Sequence, residues 1–128
     1  MEKSLRELLL KDLCSRLLYK TKCHFKYGTA EDDIVLKCID DDVARFDYGY
    51  FGNFHAIIDP KYIKPYLRPM SSMTEEEEER KCAFLDDIEG GIEEAIPNYI
   101  NWLNKKMFDY RGLIPMGLAL PATEGMYH

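Results

Sequence analysis

The sequence has no long apolar run, and this absence limits where the chain can reside. Its uninterrupted apolar stretches, such as Leu8–Leu10, are only a few residues long, whereas a helix needs about 20 apolar residues to cross a bilayer. Charged residues also interrupt the leucines of the N-terminal region, which is unlike a secretory signal peptide. We therefore predict a cytoplasmic protein with no membrane contact.

Closely spaced metal ligands are also absent. The chain has four cysteines and three histidines, without a Cys-x-x-Cys motif. A metal site would have to use Cys23, His24, Cys38 and His55. Two of these are adjacent on a predicted strand and would point to opposite faces, whereas zinc ligand pairs usually stand about two to four residues apart. We predict reduced, partly buried cysteines, no metal and no cofactor.

Known catalytic motifs are missing as well. The sequence contains no Gly-x-Ser-x-Gly, no phosphate-binding glycine loop and no His-Glu-x-x-His. His24 lies on a lysine-rich strand face and His128 is terminal, so His55 is the one histidine suited to act as a base. We predict no catalytic residues, and a small hydrolase using His55 is kept as an alternative.

An excess of positive charge is lacking too, which argues against direct nucleic-acid binding. The chain carries 17 basic and 23 acidic residues, for a net charge of −6. Residues 31–59 carry eight acids against two bases, and residues 71–96 carry ten acids against two bases. Such regions permit the capture of a protein with a basic surface.

What the sequence does contain predicts one globular domain over residues 1–128, since 46% of its residues are hydrophobic. Ser4 and Glu7 form a capping box ahead of regularly spaced leucines, which predicts a helix over about 4–18 with Leu18 on its apolar side.

Two further helices are predicted in the second half. Thr74 and Glu77 form another capping box, which predicts a peripheral acidic helix over about 75–87. Pro97 is expected to open a third helix, because a first-turn N–H has no helical partner to lose.

Alternating apolar and polar residues predict an antiparallel sheet between these helices. The predicted segments are a strand over Lys20–Tyr27, a turn over Gly28–Asp32, a returning strand over Asp33–Ile39, a strand or aromatic loop over Arg45–Asn53, a strand over Phe54–Ile58 and a helical turn from Asp59 through Tyr66.

These segments together predict an α+β fold, a small antiparallel sheet of three or four strands packed against N- and C-terminal helices. Leu118–Leu120 is expected to be a short buried strand or tail, and Pro121–His128 a loosely held terminus. A buried ion pair between Asp109 and Arg111 is expected to hold the closing segment.

The best candidate for a functional region is a surface of acidic and aromatic residues. The segment from Phe46 to Phe54 is either a core strand or a contact loop with large anchors and an acidic rim. The partner-binding candidates are Tyr48, Tyr50, Phe51, Asp40, Asp41, Asp42, Glu75, Glu76, Glu78 and Glu79. A different hypothesis is a small-ligand or nucleotide-binding domain with a pocket lined by Tyr48, Tyr50, Trp102 and Tyr110.

Four stretches carry a resemblance to a known family. They are LLLKDLCSRLLY (8–19), IKPYLRPMSSMTEEE (63–77), NWLNKKMFDYRGLIPMGLAL (101–120) and PATEGMY (121–127). Together they resemble small uncharacterised proteins from gut anaerobic bacteria and their phages and mobile elements. The resemblance assigns no residue a role. It implies an accessory protein, and with the charge pattern it predicts a non-enzymatic binder that inhibits or modulates a host nucleic-acid-handling or defence protein.

Overall fold

The computed structural model describes residues 3–40, 43–48, 54–86 and 92–127, which contain three α-helices and seven strands. The helices are α1 (Lys3–Arg16), α2 (Glu75–Asp86) and α3 (Ile92–Lys105). The strands are β1 (Lys22–Tyr27), β2 (Ala30–Val35), β3 (Cys38–Asp40), β4 (Val43–Tyr48), β5 (Phe54–Ile58), β6 (Ile63–Leu67) and β7 (Leu120–Pro121).

The strands form two sheets, and the chain passes from the first sheet to the second between β2 and β3. One sheet has the order β2-β1-β6-β7, and the other has the order β3-β4-β5. The Leu36 N–H donates to the Thr21 carbonyl at 3.0 Å, whereas the next N–H, that of Lys37, donates to the Arg45 carbonyl at 3.1 Å. The chain therefore passes from one sheet to the other between these two residues.

Both sheets and α1 contribute to one core. Phe25 of β1 and Phe46 of β4 lie in contact with ring centroids 4.9 Å apart, and Leu9 and Leu13 of α1 are completely buried in the same cluster. The predicted α+β class is confirmed, although the strands form two sheets of three and four strands instead of one.

Strand β6 is the largest difference from the prediction. The Asp59 carboxylate does accept the Lys61 N–H at 3.0 Å, but the 3-10 turn that it starts ends at Tyr62. Residues Ile63–Leu67 are extended, and β6 pairs antiparallel with β1 and parallel with β7. The predicted helical turn through Tyr66 is therefore wrong. The segment is short and contains Pro65, so the alternation of its buried residues was a weak signal.

The first hairpin is tighter than predicted. Tyr27 pairs with Ala30 across a two-residue turn, in which Gly28 has a φ of 60°. The turn predicted over Gly28–Asp32 is thus too long, and β2 begins before Asp33. Buried Phe46 on β4 confirms the core-strand interpretation for the start of the aromatic segment, whereas residues 49–53 lie outside the described residues.

Two helix ends also differ from prediction. Helix α1 is followed by a 3-10 turn over Leu17–Tyr19, and Leu18 is 90% exposed, so its predicted place on the apolar side is wrong. Helix α3 begins at Ile92 and contains Pro97 in its interior. The predicted opening at Pro97 is wrong because the helix tolerates the loss of one backbone hydrogen bond there.

Leu118 and Ala119 are buried, as predicted for Leu118–Leu120, but the strand that follows, β7, begins only at Leu120. In the described part of the chain, no helix combines the length and the apolar character needed to span a membrane.

Candidate functional site

Helix α2 is held at its first turn by the predicted capping box. The Glu77 N–H donates to Thr74 Oγ1 at 3.2 Å, and the Thr74 N–H donates to Glu77 Oε1 at 3.0 Å. Glu77 is therefore turned toward the protein. The other four glutamates at the start of the helix are exposed, namely Glu75, Glu76, Glu78 and Glu79.

Arg68 connects this first turn to the rest of the molecule. Its guanidinium donates to both carboxylate oxygens of Glu77, at 2.8 and 2.6 Å, and lies 4.2 Å from the centroid of the Phe108 ring. The Arg68 guanidinium lowers the pKa of Glu77 to about 2, so this carboxylate is ionised at neutral pH. A bidentate ion pair of this geometry fixes direction as well as distance.

The second half of α2 rests on aromatic side chains. The Phe84 ring lies 5.6 Å from Trp102 and 6.0 Å from Tyr99, both on α3. Trp102 in turn lies 5.8 Å from Phe108. The helix is thus attached along one side, although none of its twelve residues, all of which are described, is buried.

The other predicted contact residues are only partly described. Asp40 is exposed at the end of β3, where it forms an ion pair with Arg45 at 3.3 Å. The backbone of Tyr48 pairs with Phe54 in the three-stranded sheet. The predicted contact residues Asp41, Asp42, Tyr50 and Phe51 lie outside the described residues.

A polar network on the outer face of the four-stranded sheet was not predicted. His24 Nδ1 lies 2.9 Å from Asp33 and Nε2 lies 2.8 Å from Glu31, while the Tyr66 hydroxyl donates to Asp33 at 2.7 Å. The hydrogen bond to Asp33 is the main reason that the pKa of His24 is raised. The alternation in β1 placed His24 outward, but only the β1–β2 register shows that acids, and not lysines alone, surround it.

A second missed cluster is buried. Asp12 and Arg16 of α1 are completely buried and form an ion pair at 3.0 Å. Arg111 donates to the same Asp12 carboxylate at 2.8 Å. Asp109 instead accepts the N–H groups of residues 113 and 114, at 2.8 and 2.9 Å. The predicted pairing of Asp109 with Arg111 is therefore wrong, since the partner of this arginine lies 99 residues away.

Of the residues predicted to line a ligand pocket, Trp102 and Tyr110 have described side chains, and neither supports the pocket. Trp102 is packed in the aromatic contacts under α2. The Tyr110 hydroxyl donates to Asn104 at 2.8 Å, and its ring contacts the guanidinium groups of Arg16 and Arg111. Of His55, only the backbone is described, in β5, so the hydrolase hypothesis stays a prediction.

None of the four cysteines, all of which are described, forms a disulfide. Cys23 is buried and Cys38 is intermediate, but Cys14 and Cys82 are exposed, which corrects the prediction that all are partly buried. Burial raises the pKa of the Cys23 thiol well above its usual range, so this thiol is unreactive. Among the described residues, no group of three or more histidine, cysteine or acidic side chains could hold a metal ion.

A groove of about 760 Å³ lies beside the start of α2. Its lining includes Ser72, Thr74 and Glu76 as well as residues 122–127. Arg68 also lines this groove, but its guanidinium is already paired with the α2 carboxylate.

Comparisons with protein-family models, with curated proteins and with solved structures find no match to this chain. The resemblance to proteins of gut anaerobes and their mobile elements stays a prediction.

Proposed function

We propose that the chain is a non-enzymatic accessory protein that binds another protein, and that the outward face of α2 contacts a basic surface on that partner. The observation that carries this proposal is a helix that is fixed in place yet buries none of its residues. Its four outward glutamates, Glu75, Glu76, Glu78 and Glu79, are all exposed.

The way in which α2 is attached supports this role. An isolated helix of twelve residues is marginal in water, so the Arg68–Glu77 ion pair and the Phe84 contacts are needed to keep it ordered. Five consecutive glutamates already satisfy the positive end of the helix dipole, which disfavours an anionic ligand and favours a cationic one.

The partner class follows from the charge. Carboxylates along one face of a fixed helix can take the places of nucleic-acid phosphates on a lysine- and arginine-rich surface. We propose as partner a host or phage protein that handles nucleic acid or acts in defence, whose basic site the acidic helix occupies. Asp40 and the aromatic residues Tyr48, Tyr50 and Phe51 are proposed as further contacts.

The proposal is tested by affinity capture from a nuclease-treated lysate of a gut anaerobic bacterium. Three baits are compared: the native chain, a variant with Glu75, Glu78 and Glu79 changed to lysine, and a control with Glu7, Glu93 and Glu94 changed to lysine. The control glutamates are also exposed and lie on the other two helices. Both variants replace three glutamates with lysine, so they change the net charge equally. Glu76 is kept because it also lines the groove.

A protein enriched by the native and control baits, and lost with the α2 variant, would support binding through α2. Its retention should also fall with added salt, because exposed charges are screened over about 10 Å at 0.1 M ionic strength. Equal capture by all three baits would indicate that the partner contacts the segment around Tyr48 instead of α2. If no bait enriches a protein, the proposal fails.

A further inference from the structure

The segment Thr123–Tyr127, here called the strap, fills a gap between two strands of the four-stranded sheet. Strands β1 and β6 pair over three positions and then separate. At the next position, the Lys22 N–H donates to the Tyr127 hydroxyl at 3.0 Å, and this hydroxyl donates to the Tyr66 carbonyl at 2.7 Å. A side-chain hydroxyl thus replaces the direct hydrogen bond between the strands.

The gap is suited to a tyrosine side chain in particular. Its two strands offer one donor, the Lys22 N–H, and two acceptors, the carbonyls of Tyr66 and Lys22 at 2.7 and 3.2 Å from the hydroxyl. A phenol can accept from the donor and donate to an acceptor at once, whereas phenylalanine can do neither. The Lys22 ammonium lies 5.7 Å from the centroid of the Tyr127 ring, within the range of a cation–π contact. The same ammonium donates to the Met126 carbonyl at 2.7 Å.

The rest of the strap makes few contacts. Thr123, Glu124 and Gly125 are exposed, and the Met126 N–H donates to the Thr123 carbonyl at 3.1 Å within a turn. At the other end, the Ala122 N–H donates to the carbonyl of the last residue of β6 at 2.8 Å. The contacts that hold the strap to the sheet are therefore concentrated at Tyr127.

The strap also lines the groove beside the start of α2, together with Ser72, Thr74 and Glu76. A volume of about 760 Å³ is in the range of sites that accept small ligands or a few side chains. A peptide that replaced the strap would lie in this groove and reach the gap with one side chain.

We propose that the gap between β1 and β6 is a binding site for a tyrosine-bearing extended segment of a protein partner, and that the strap is a built-in occupant which this segment displaces. The donor and both acceptors belong to the backbones of Lys22 and Tyr66, so they stay in place when the strap leaves. Because unpaired buried groups are costly, the vacated gap favours another phenol.

A foreign segment fits this site better than the strap of a second copy. Leu120 and Pro121 pair with β6, which ties the strap to its own sheet. The six residues from Ala122 to Tyr127 reach only about 20 Å beyond this anchor when they are extended. Of the four outward glutamates of α2, Glu76 also lines the groove. Because Glu76 is unchanged in the α2 bait variant, the tests of this inference and of the proposed function stay separate.

The test uses the full chain with Tyr127→Ala, which empties the gap. The probe is a fluorescein-labelled peptide of residues 121–127, Pro-Ala-Thr-Glu-Gly-Met-Tyr, and binding is followed by fluorescence anisotropy. We expect saturable binding that is at least about tenfold tighter than to the native chain, whose gap is filled. The same peptide with phenylalanine for tyrosine should bind about tenfold more weakly, because it loses both hydrogen bonds.

Near-UV circular dichroism establishes whether the variant is folded. A folded Tyr127→Ala chain that does not bind the peptide, or that binds both peptides equally, would overturn the proposal. Concentration-dependent dimers of the native chain that are lost in this variant would also overturn it, because they would assign the gap to a second copy.

If Tyr127→Ala does not fold, the variant Gly125→Ala tests the proposal instead. Gly125 has a φ of 78°, where an alanine is strained, so the substitution weakens the strap without changing the gap. We expect it to bind the tyrosine peptide several-fold more tightly than the native chain does. Unchanged affinity would contradict a displaceable strap.

Discussion

Helices α1 and α2 have similar lengths, 14 and 12 residues, but they use their charged residues in opposite ways. Helix α1 buries an aspartate and an arginine, Asp12 and Arg16, next to Leu9 and Leu13. Helix α2 buries no residue and directs four of its five glutamates outward. Helix α1 is part of the core, whereas α2 is attached to the surface of the protein.

The two ion pairs show the same contrast. Asp12 and Arg16 are 0% exposed, whereas the side chains of Arg68 and Glu77 are 21% and 14% exposed. Burying charges costs several kcal/mol for each ion, so α1 depends on the pairing of Asp12 with Arg16. The ion pair of α2 is partly exposed, so it contributes less to stability and mainly fixes the position of the helix. Substitutions in both helices and on the outer face of the sheet test this contrast.

The largest effect is expected for Asp12→Ala. It removes the carboxylate shared by Arg16 and Arg111 and leaves the buried Arg16 charge unpaired, which costs about 3–5 kcal/mol of unfolding free energy. Urea unfolding measures this loss, and Glu7→Ala on the exposed side of the same helix is the control, with a change within about 0.5 kcal/mol. A loss below about 1 kcal/mol for Asp12→Ala would contradict the core role of the cluster.

The next largest loss of stability is expected when a leucine of α1 is replaced, compared with a leucine of α2. Leu13 is 0% exposed and Leu85 of α2 is 39% exposed. Leu13→Ala should cost about 2–5 kcal/mol because it leaves a cavity, and Leu85→Ala should cost about 1 kcal/mol or less. Thermal unfolding of both variants measures the difference. Equal losses would show that α2 is part of the core.

A smaller effect is expected for Glu77→Gln, at about 1–2 kcal/mol. Arg68 lowers the pKa of Glu77 to about 2, from an ordinary value of 4.5. The stabilisation is therefore fully present above pH 4.5 and is lost as the pH falls toward 2. Unfolding free energies measured between pH 2 and pH 6 should depend less on pH in this variant. Glu78→Gln is the matched control, and an equal change in both variants would exclude a special role for the ion pair.

The smallest effect is expected on the outer face of the sheet. Asp33 and Glu31 raise the pKa of His24, so its contribution to stability is fully present below the ordinary pKa of 6.5 and is lost as the pH rises through the higher folded value. For such a partly exposed pair we expect less than about 1 kcal/mol. NMR titration should show a lower His24 pKa in Asp33→Asn, and an unchanged pKa would contradict the observed pairing.

Features that depend on near neighbours in the chain were predictable from the sequence. The capping box of α2 joins Thr74 to Glu77, three residues apart, and both hydrogen bonds form as predicted. The alternation of Cys23 and Phe25 with outward residues placed β1 correctly. Such patterns are visible because helix and strand periodicities act over a few residues.

Features that depend on distant partners were not predictable. Arg111 pairs with Asp12 across 99 residues, and Tyr127 reaches Lys22 across 105 residues. The predicted loosely held terminus is wrong for this reason, since nothing near Tyr127 in the sequence shows the gap that it fills. Strand β6 was missed in the same way, because its identity depends on its pairing with β1.

Local periodicity and composition were enough to predict the α+β class, helices α1 and α2, strand β1 and the acidic character of α2. The inward turn of Glu77 to Arg68 and the bridge that Tyr127 forms between two strands became visible only in the three-dimensional packing. The physical reason is that long-range pairings depend on which backbone groups and charges the packed core leaves unsatisfied.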